Sequence, residues 1–257
     1  MICEEDAVSQ RLLRKGALIE ETYILFSNWD FDRSLESNFD LICDGRFRTQ
    51  AWGTEVKTTL RRWFRDIEGA APLIVAAKKG LPLEEWRHCL LLWIGSRERL
   101  YHEFALGWLF PEFERGCYQI RSQDVKPFVQ TMWRRVSGEG PSLSDYGVIR
   151  TARDLLRMAK DFGLLVGNGP RTTFAPLHLS DQCFLYYAHA IAEAEKSTSR
   201  VPASNLWRLP LLQPAEVINT LLRLHQFRKL HYEMAGSLVQ LTLPCASSRE
   251  YAKRMVA

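Results

Sequence analysis

The chain has 257 residues, 46% of them hydrophobic and 25% charged, which is the composition of an ordinary globular protein with a sizeable core. Uninterrupted apolar runs such as 89–94 are too short to cross a bilayer, and the first ten residues lack the basic-then-apolar pattern of a signal peptide. We therefore expect a cytoplasmic protein without membrane contact. The net charge of +4 is too small to indicate a nucleic-acid partner by itself.

The amino-terminal part carries helical patterns in short segments. Apolar spacing predicts a helix over 17–26, and Ser34 is placed to cap the next helix, LESNFDLIC. A third helix is predicted over 54–67, with an apolar face and a basic face. The basic face consists of Lys57, Arg61, Arg62 and Arg65. This arrangement resembles a helix-turn-helix over 34–67, and it also resembles any small helical bundle.

The most apolar segment lies over 83–110. Pro72 precedes it and predicts a break in the chain. Apolar residues recur too densely for a one-sided surface helix, which predicts one or two central helices with a possible break at Gly95 and an end at Pro111. We expect the tryptophans of this segment in the core, because a base-stacking platform needs exposed rings.

Two later stretches share one pattern, an amphipathic helix that runs into a β-hairpin. In 150–176, the helix follows a cap at Ser144 and ends at Gly163 before a hairpin with a turn at Asn168-Gly169. In 215–244, the helix is expected to bury Leu222, and its hairpin turns at Ala235-Gly236. A helix followed by a hairpin is the closing half of a winged-helix unit. The polar segment between the two stretches, 196–204, is predicted to be a mobile linker.

The outward face of the first of these helices is basic. Four bases fall within a stripe of about 80° by helix geometry. They are Arg150, Arg153, Arg157 and Lys160. Aligned bases of this kind suit nucleic-acid phosphates, and Arg171 in the hairpin turn would add a contact. A solvated or protein-facing surface is the alternative interpretation.

Two further sets of residues complete the predicted nucleic-acid surface. Arg46 and Arg48 precede the basic helix over 54–67 and belong to the same basic stretch. The helix of the second stretch carries less charge and has side chains suited to reading bases. These are Asn219, Thr220, Arg223 and Gln226.

Sequence patterns of catalysis are few. The chain lacks GxxxxGK[ST], GxSxG, HExxH, and a GxGxxG that follows a strand. Its six histidines do not stand at metal-ligand spacing, and its six cysteines form no CxxC pair. We expect no enzymatic activity, no cofactor, no metal and no small-molecule substrate.

Four stretches resemble the BrxA family of the BREX bacteriophage-exclusion systems. They are LLRKGALIEETYILFSNWD (12–30), RTQAWGTEVKTTLRRWF (48–64), LLLWIGSRERLYHEFALGWL (90–109) and RTARDLLRMAKDFGLL (150–165). The resemblance implies a small, all-helical, non-enzymatic DNA-binding protein with winged-helix-like parts. It implies that the protein is encoded beside the methyltransferase, ATPase, phosphatase-like and protease-like components of the defence system. It transfers no catalytic residue, and the four stretches that carry it all lie before residue 180.

The sequence as a whole predicts a mainly α protein. A helical domain is expected over 1–120, a first winged-helix-like unit over 121–180, and a second unit with a basic tail over 181–257. The functional hypothesis is a non-enzymatic accessory component of a BREX system that binds double-stranded DNA, with the methyltransferase, ATPase and phosphatase-like protein as further partners. Two alternatives stay open. One is a docking scaffold of the defence complex without DNA contact, and the other is a winged-helix transcription regulator.

Overall fold

The computed structural model describes residues 13–43, 49–137, 142–167, 172–236 and 238–255. The described chain is mainly helical and contains two short antiparallel β-hairpins. The predicted mainly α class is therefore confirmed.

The elements follow one another in this order. The first helices are α1 (Ile19–Ser27), α2 (Leu35–Cys43), α3 (Gln50–Trp63) and α4 (Ile67–Lys78). Next come α5 (Leu83–Arg97), α6 (Arg99–Phe104), a π-helical turn (Ala105–Leu109), α7 (Phe110–Glu114), α8 (Ser122–Ser137) and α9 (Asp145–Asp161). The first hairpin is formed by β1 (Leu165–Val166) and β2 (Thr173–Phe174). The remaining elements are α10 (Asp181–Glu195), two 3-10 turns (Val201–Ala203 and Asn205–Arg208), α11 (Pro214–Gln226), β3 (His231–Ala235), β4 (Leu238–Thr242) and α12 (Ser248–Ala252).

Serine residues cap several of these helices, and the caps at Ser34 and Ser144 are at the predicted positions. Ser34, Ser144 and Ser180 each accept the backbone N–H three residues further on, at 3.1 to 3.3 Å. Such a bond satisfies a backbone donor that the first helical turn leaves without a partner. At the other end of α9, Gly163 adopts a positive φ of 76° and stops the helix as predicted.

The predicted helix over 54–67 is wrong at both ends. Thr49 caps α3 by accepting the Trp52 N–H at 3.2 Å, so the helix starts at Gln50 and ends at Trp63. The break predicted at Pro72 is also wrong, because Pro72 lies inside α4 and every residue of 70–77 is buried. Burial of this run outweighs the poor helix propensity of proline.

The central apolar segment forms the expected core helices, with different boundaries. Trp86 is fully buried and Trp93 nearly so, as predicted, whereas Trp108 is half-buried. Helix α5 continues through Gly95, and Pro111 lies in the first turn of α7, so neither residue ends a helix. A Cβ added at Gly95 would lie 2.6 Å from Leu209 Cδ2. Gly95 therefore provides space for the Leu209 side chain and does not break the helix.

Gly95→Ala is expected to lower the free energy of unfolding by about 1–2 kcal/mol, because overpacking against Leu209 outweighs the better helix propensity of alanine. Urea denaturation followed by circular dichroism measures this change. Gly107→Ala is the matched control, because nothing lies within 4 Å of the Cβ that it would add. Equal effects of the two substitutions would contradict the packing explanation.

The predicted mobile linker over 196–204 is ordered, which corrects the sequence-based expectation. Val201 is fully buried within the first 3-10 turn, and its carbonyl accepts the Trp207 Nε1–H at 2.7 Å. Ser204 Oγ donates to Glu195 at 2.9 Å. The tryptophan that fixes the segment lies outside the polar stretch from which mobility was predicted.

Both predicted hairpins are present. Leu165 pairs with Phe174 in the first hairpin, and the bridge between Ile120 and Thr172 adds a third short partner to it. The Asn168-Gly169 turn lies outside the described residues. The second hairpin pairs five residues of β3 with five of β4 and turns at Gly236, whose φ is 61°.

The chain divides into two compact units that do not follow chain order. One consists of Met1–Ala17, Ile94–His178 and Arg208–Leu211 and contains α9 with β1 and β2. The other consists of Leu18–Trp93, Leu179–Trp207 and Leu212–Ala257 and contains α11 with β3 and β4. Each helix–hairpin pair thus lies within one unit, together with segments that the sequence-based division 1–120, 121–180 and 181–257 keeps apart.

Candidate nucleic-acid interface

Helix α9 presents the predicted basic stripe opposite a buried apolar face. The buried face includes Val148, Ala152, Leu155, Leu156 and Ala159, as predicted from their spacing. On the other side, Arg153 and Arg157 are exposed, and Arg150 and Lys160 are half-buried. The helix therefore offers two open guanidinium groups four residues apart.

Two aspartates border the same stripe. Asp154 follows Arg150 by four residues and precedes Arg157 by three, which are the spacings of neighbours on a helix surface. Burial raises the pKa of Asp154, against the opposing influence of Arg150, Arg14 and Arg157. Its Oδ2 atom is buried and accepts no hydrogen bond from the described part of the chain.

The segment 13–17 lies against the end of α9 at the second aspartate. Asp161 accepts the Ala17 N–H at 2.9 Å, and burial raises the pKa of this carboxyl group. Gly16 has a φ of 74°, and a Cβ added there would lie 2.3 Å from Asp161 Oδ2 and 3.2 Å from Arg157 Nε. A glycine is required at this position because both its backbone conformation and its close approach to α9 exclude a side chain.

Two bases of the predicted basic face, Lys57 and Arg61, form ion pairs with acids of α2. Lys57 Nζ lies 3.2 Å from Asp40 Oδ1, and Arg61 forms an ion pair with Glu36. The Arg61 guanidinium also lies over the Phe39 ring, 5.7 Å from its centroid. Acids of the amino-terminal segment thus neutralise bases of the following helix within the protein.

The other predicted residues of this basic stretch differ in exposure. Arg62 is half-buried and Arg65 is exposed. Arg46 and Arg48 lie outside the described residues, as does Arg171 of the first hairpin turn.

On α11, the predicted base-reading arginine is held by an ion pair. Both terminal nitrogens of Arg223 donate to the Asp181 carboxylate, one of them at 3.2 Å, and Lys229 Nζ donates to the same carboxylate at 2.8 Å. Hydrogen bonding by Arg223 is the largest of the effects that lower the pKa of Asp181 to about 2. Bidentate recognition of guanine by Arg uses a pair of N–H groups, so guanine reading in this geometry requires the ion pair to open.

The other predicted reading residues of α11 are more accessible. Asn219 and Gln226 are exposed, whereas Thr220 is half-buried and its Oγ1 donates to the Glu216 carbonyl at 2.8 Å. The prediction that Leu222 is buried is wrong, because it is 43% exposed and Leu224 takes the inward position.

The sequence-based prediction did not include several residues that define these surfaces. Asp154 was detectable, because helix geometry places it next to Arg150 on the same face. No sequence pattern links Arg14, Asp181 or Lys229 to its partner, because the partners are far apart in the sequence. The structure therefore brings together the α9 stripe with its own acids, and it neutralises much of the charge predicted on α3 and α11.

No protein-family model, curated protein or solved structure shows significant similarity to this chain. Within the described ranges, no helix combines the length and the apolar character that a membrane span requires.

Proposed function

We propose that the protein binds nucleic acid, with double-stranded DNA as the first ligand to test, through α9 and the hairpin that follows it. The observation that carries the proposal is the exposure of Arg153 and Arg157 on a helix that runs directly into β1. These residues are about 6 Å apart along the helix axis, so both guanidinium groups can meet one stretch of phosphate backbone.

The order of elements around α9 supports a winged-helix arrangement. Helix α7 is followed by the single strand residue Ile120, then by α8, α9, β1 and β2. Ile120 forms an antiparallel bridge with Thr172, the residue just before the second strand of the hairpin. In DNA-binding proteins with a helix-turn-helix core, the second helix of the pair enters the major groove. We propose that α9 takes this position.

The neutralised charges elsewhere favour α9 over the other two predicted surfaces. Lys57 and Arg61 on α3 have acidic partners on α2, and Arg223 on α11 has Asp181. Moving a cation from an existing ion pair to phosphate exchanges one favourable contact for another and contributes less net affinity. Arg153 and Arg157 have the greatest exposure in the α9 stripe.

The resemblance to the BrxA family extends this proposal to a biological setting. It suggests a non-enzymatic accessory component of a bacterial anti-phage system, and it rests on the sequence patterns alone. Genes for a large methyltransferase and a phosphatase-like protein beside the gene for this chain would support the setting.

Fluorescence anisotropy with labelled duplex DNA tests the proposed function. We expect binding that weakens with salt, with log K falling against log salt at a slope of roughly −2 to −4, as two to four phosphate contacts require. Single-stranded DNA and duplex RNA of equal length serve as comparison ligands. Binding that is absent at low ionic strength, or that does not respond to salt, would refute the proposal.

A second candidate function is docking to another protein through the second helix–hairpin pair. Leu222 and Phe227 at α11 and Met234 and Leu238 in the hairpin are large apolar side chains that remain exposed. Exposed apolar groups of this size are typical of protein interfaces when they are contiguous. Co-purification of a defence component that survives nuclease treatment and high salt favours this function over DNA binding.

A further inference from the structure

Asp154 occupies a position among arginines that serves no evident purpose in folding. Arg150 and Arg157 neighbour it on α9, and Arg14 approaches from the amino-terminal segment. Asp154 Oδ2 and Arg14 Nε are both buried, and neither has a hydrogen-bond partner in the part of the chain that the structure describes. We name these four residues the Asp154 cluster. It is a set of basic groups with one acid inside it, beside the exposed Arg153.

The ionised form of Asp154 reduces stability. Its pKa is raised in the folded protein, chiefly by burial, so folding favours the protonated form. For a carboxyl group whose folded pKa lies above the unfolded value, stability decreases as pH rises from the unfolded pKa through the folded pKa. Three nearby arginines do not reverse this sign, so the acid is not explained as a stabilising ion-pair partner.

We propose that Asp154 is an internal counter-ion that competes with nucleic-acid phosphate for Arg150 and Arg157 and thereby limits the affinity of α9. This inference rests on the proposed function. A phosphodiester that approaches these arginines meets a carboxylate of the same charge sign, four residues from Arg150 and three from Arg157 on the helix surface. Loss of the carboxylate removes the repulsion and leaves both guanidinium groups available to the phosphate.

Asp154→Asn tests the inference directly, because the amide has nearly the shape of the carboxylate and no charge. We expect duplex DNA to bind about three- to tenfold more tightly, with a salt slope steeper by about one unit because one more phosphate is neutralised. Asp145→Asn is the matched control. It removes the same charge from an exposed position at the start of α9, away from the cluster, and is expected to change affinity by less than about twofold with an unchanged slope.

Two further measurements keep the test decisive. Asp154→Glu retains the charge and is expected to bind like the unmodified protein. Thermal unfolding of Asp154→Asn is expected at or above the unmodified temperature, which shows that the variant folds.

The failure of the inference is distinguishable from that of the proposed function. Salt-dependent binding by the unmodified protein, with Asp154→Asn no tighter than Asp145→Asn, overturns the counter-ion role and leaves DNA binding intact. Absence of binding by every variant overturns both.

Discussion

The double substitution Arg153→Glu/Arg157→Glu is expected to lower the affinity for duplex DNA by about 100-fold at low salt. A charge-assisted hydrogen bond contributes about 1.5–3 kcal/mol, and a factor of ten in affinity is about 1.4 kcal/mol, so the loss of two phosphate contacts reaches this size. Both side chains are exposed on α9, so the substitution leaves the buried face of the helix unchanged. The salt slope should also become shallower by about two units.

Arg200→Glu/Lys253→Glu is the control for net charge. It changes the charge of the protein by the same amount at two exposed positions outside both helix–hairpin pairs. Anisotropy titrations of the two double variants, at several salt concentrations, separate a local effect from a general one. If both lose affinity equally, the interaction depends on overall charge and α9 has no special part in it.

Trp207→Ala is expected to lower the free energy of unfolding by about 3–5 kcal/mol, the usual cost of removing a buried large aromatic side chain. Trp207 is 2% exposed and stacks on two rings of α10, with centroid distances of 4.5 Å to Phe184 and 5.8 Å to Tyr187. Its indole N–H also holds the Val201 carbonyl at 2.7 Å. The substitution therefore removes packing and releases the 3-10 segment over 201–208 at the same time. Urea denaturation followed by circular dichroism measures the loss.

Trp207→Phe separates these two contributions. The phenyl ring keeps much of the stacking and loses the indole N–H, and the Val201 carbonyl still accepts the Ser204 N–H at 3.3 Å. We expect a loss of about 1–2 kcal/mol from one hydrogen bond and a small cavity. A loss as large as that of Trp207→Ala would show that the hydrogen bond, and not ring packing, orders the segment.

Local signals in the sequence predicted local structure well. The serine caps at 34 and 144 and the stop at Gly163 depend on contacts within four residues, so the residue types alone indicate them. The predictions at Pro72 and Gly95 were wrong because tertiary contacts decide the structure there. Burial of the surrounding run keeps Pro72 in a helix, and the distant Leu209 needs the space at Gly95.

The sequence predicted which charged residues lie on the candidate site, but it did not predict their ion-pair partners. Helix geometry placed Arg150, Arg153, Arg157 and Lys160 on one side of α9 because the helix itself fixes that relation. The partners of other predicted residues come from elsewhere in the chain. Asp181 reaches Arg223 from 42 positions earlier, and Glu36 reaches Arg61 from the preceding helix. A charge pattern therefore predicts which side chains share a helix face. Only the tertiary structure decides which of them remain available to a ligand.

The discontinuous make-up of the second unit has a consequence for synthesis of the protein. Helix α4 packs against α12, although about 170 residues separate them along the chain. During translation, the apolar run over 70–77 emerges long before residues 248–252 exist to cover their part of α4. Domains usually fold as units while the chain is being made, and exposed apolar surface promotes aggregation in the interval. Helix α4 is therefore fully covered only after residues 248–252 have been made, and a fragment that ends after the first helix–hairpin pair would leave part of α4 uncovered.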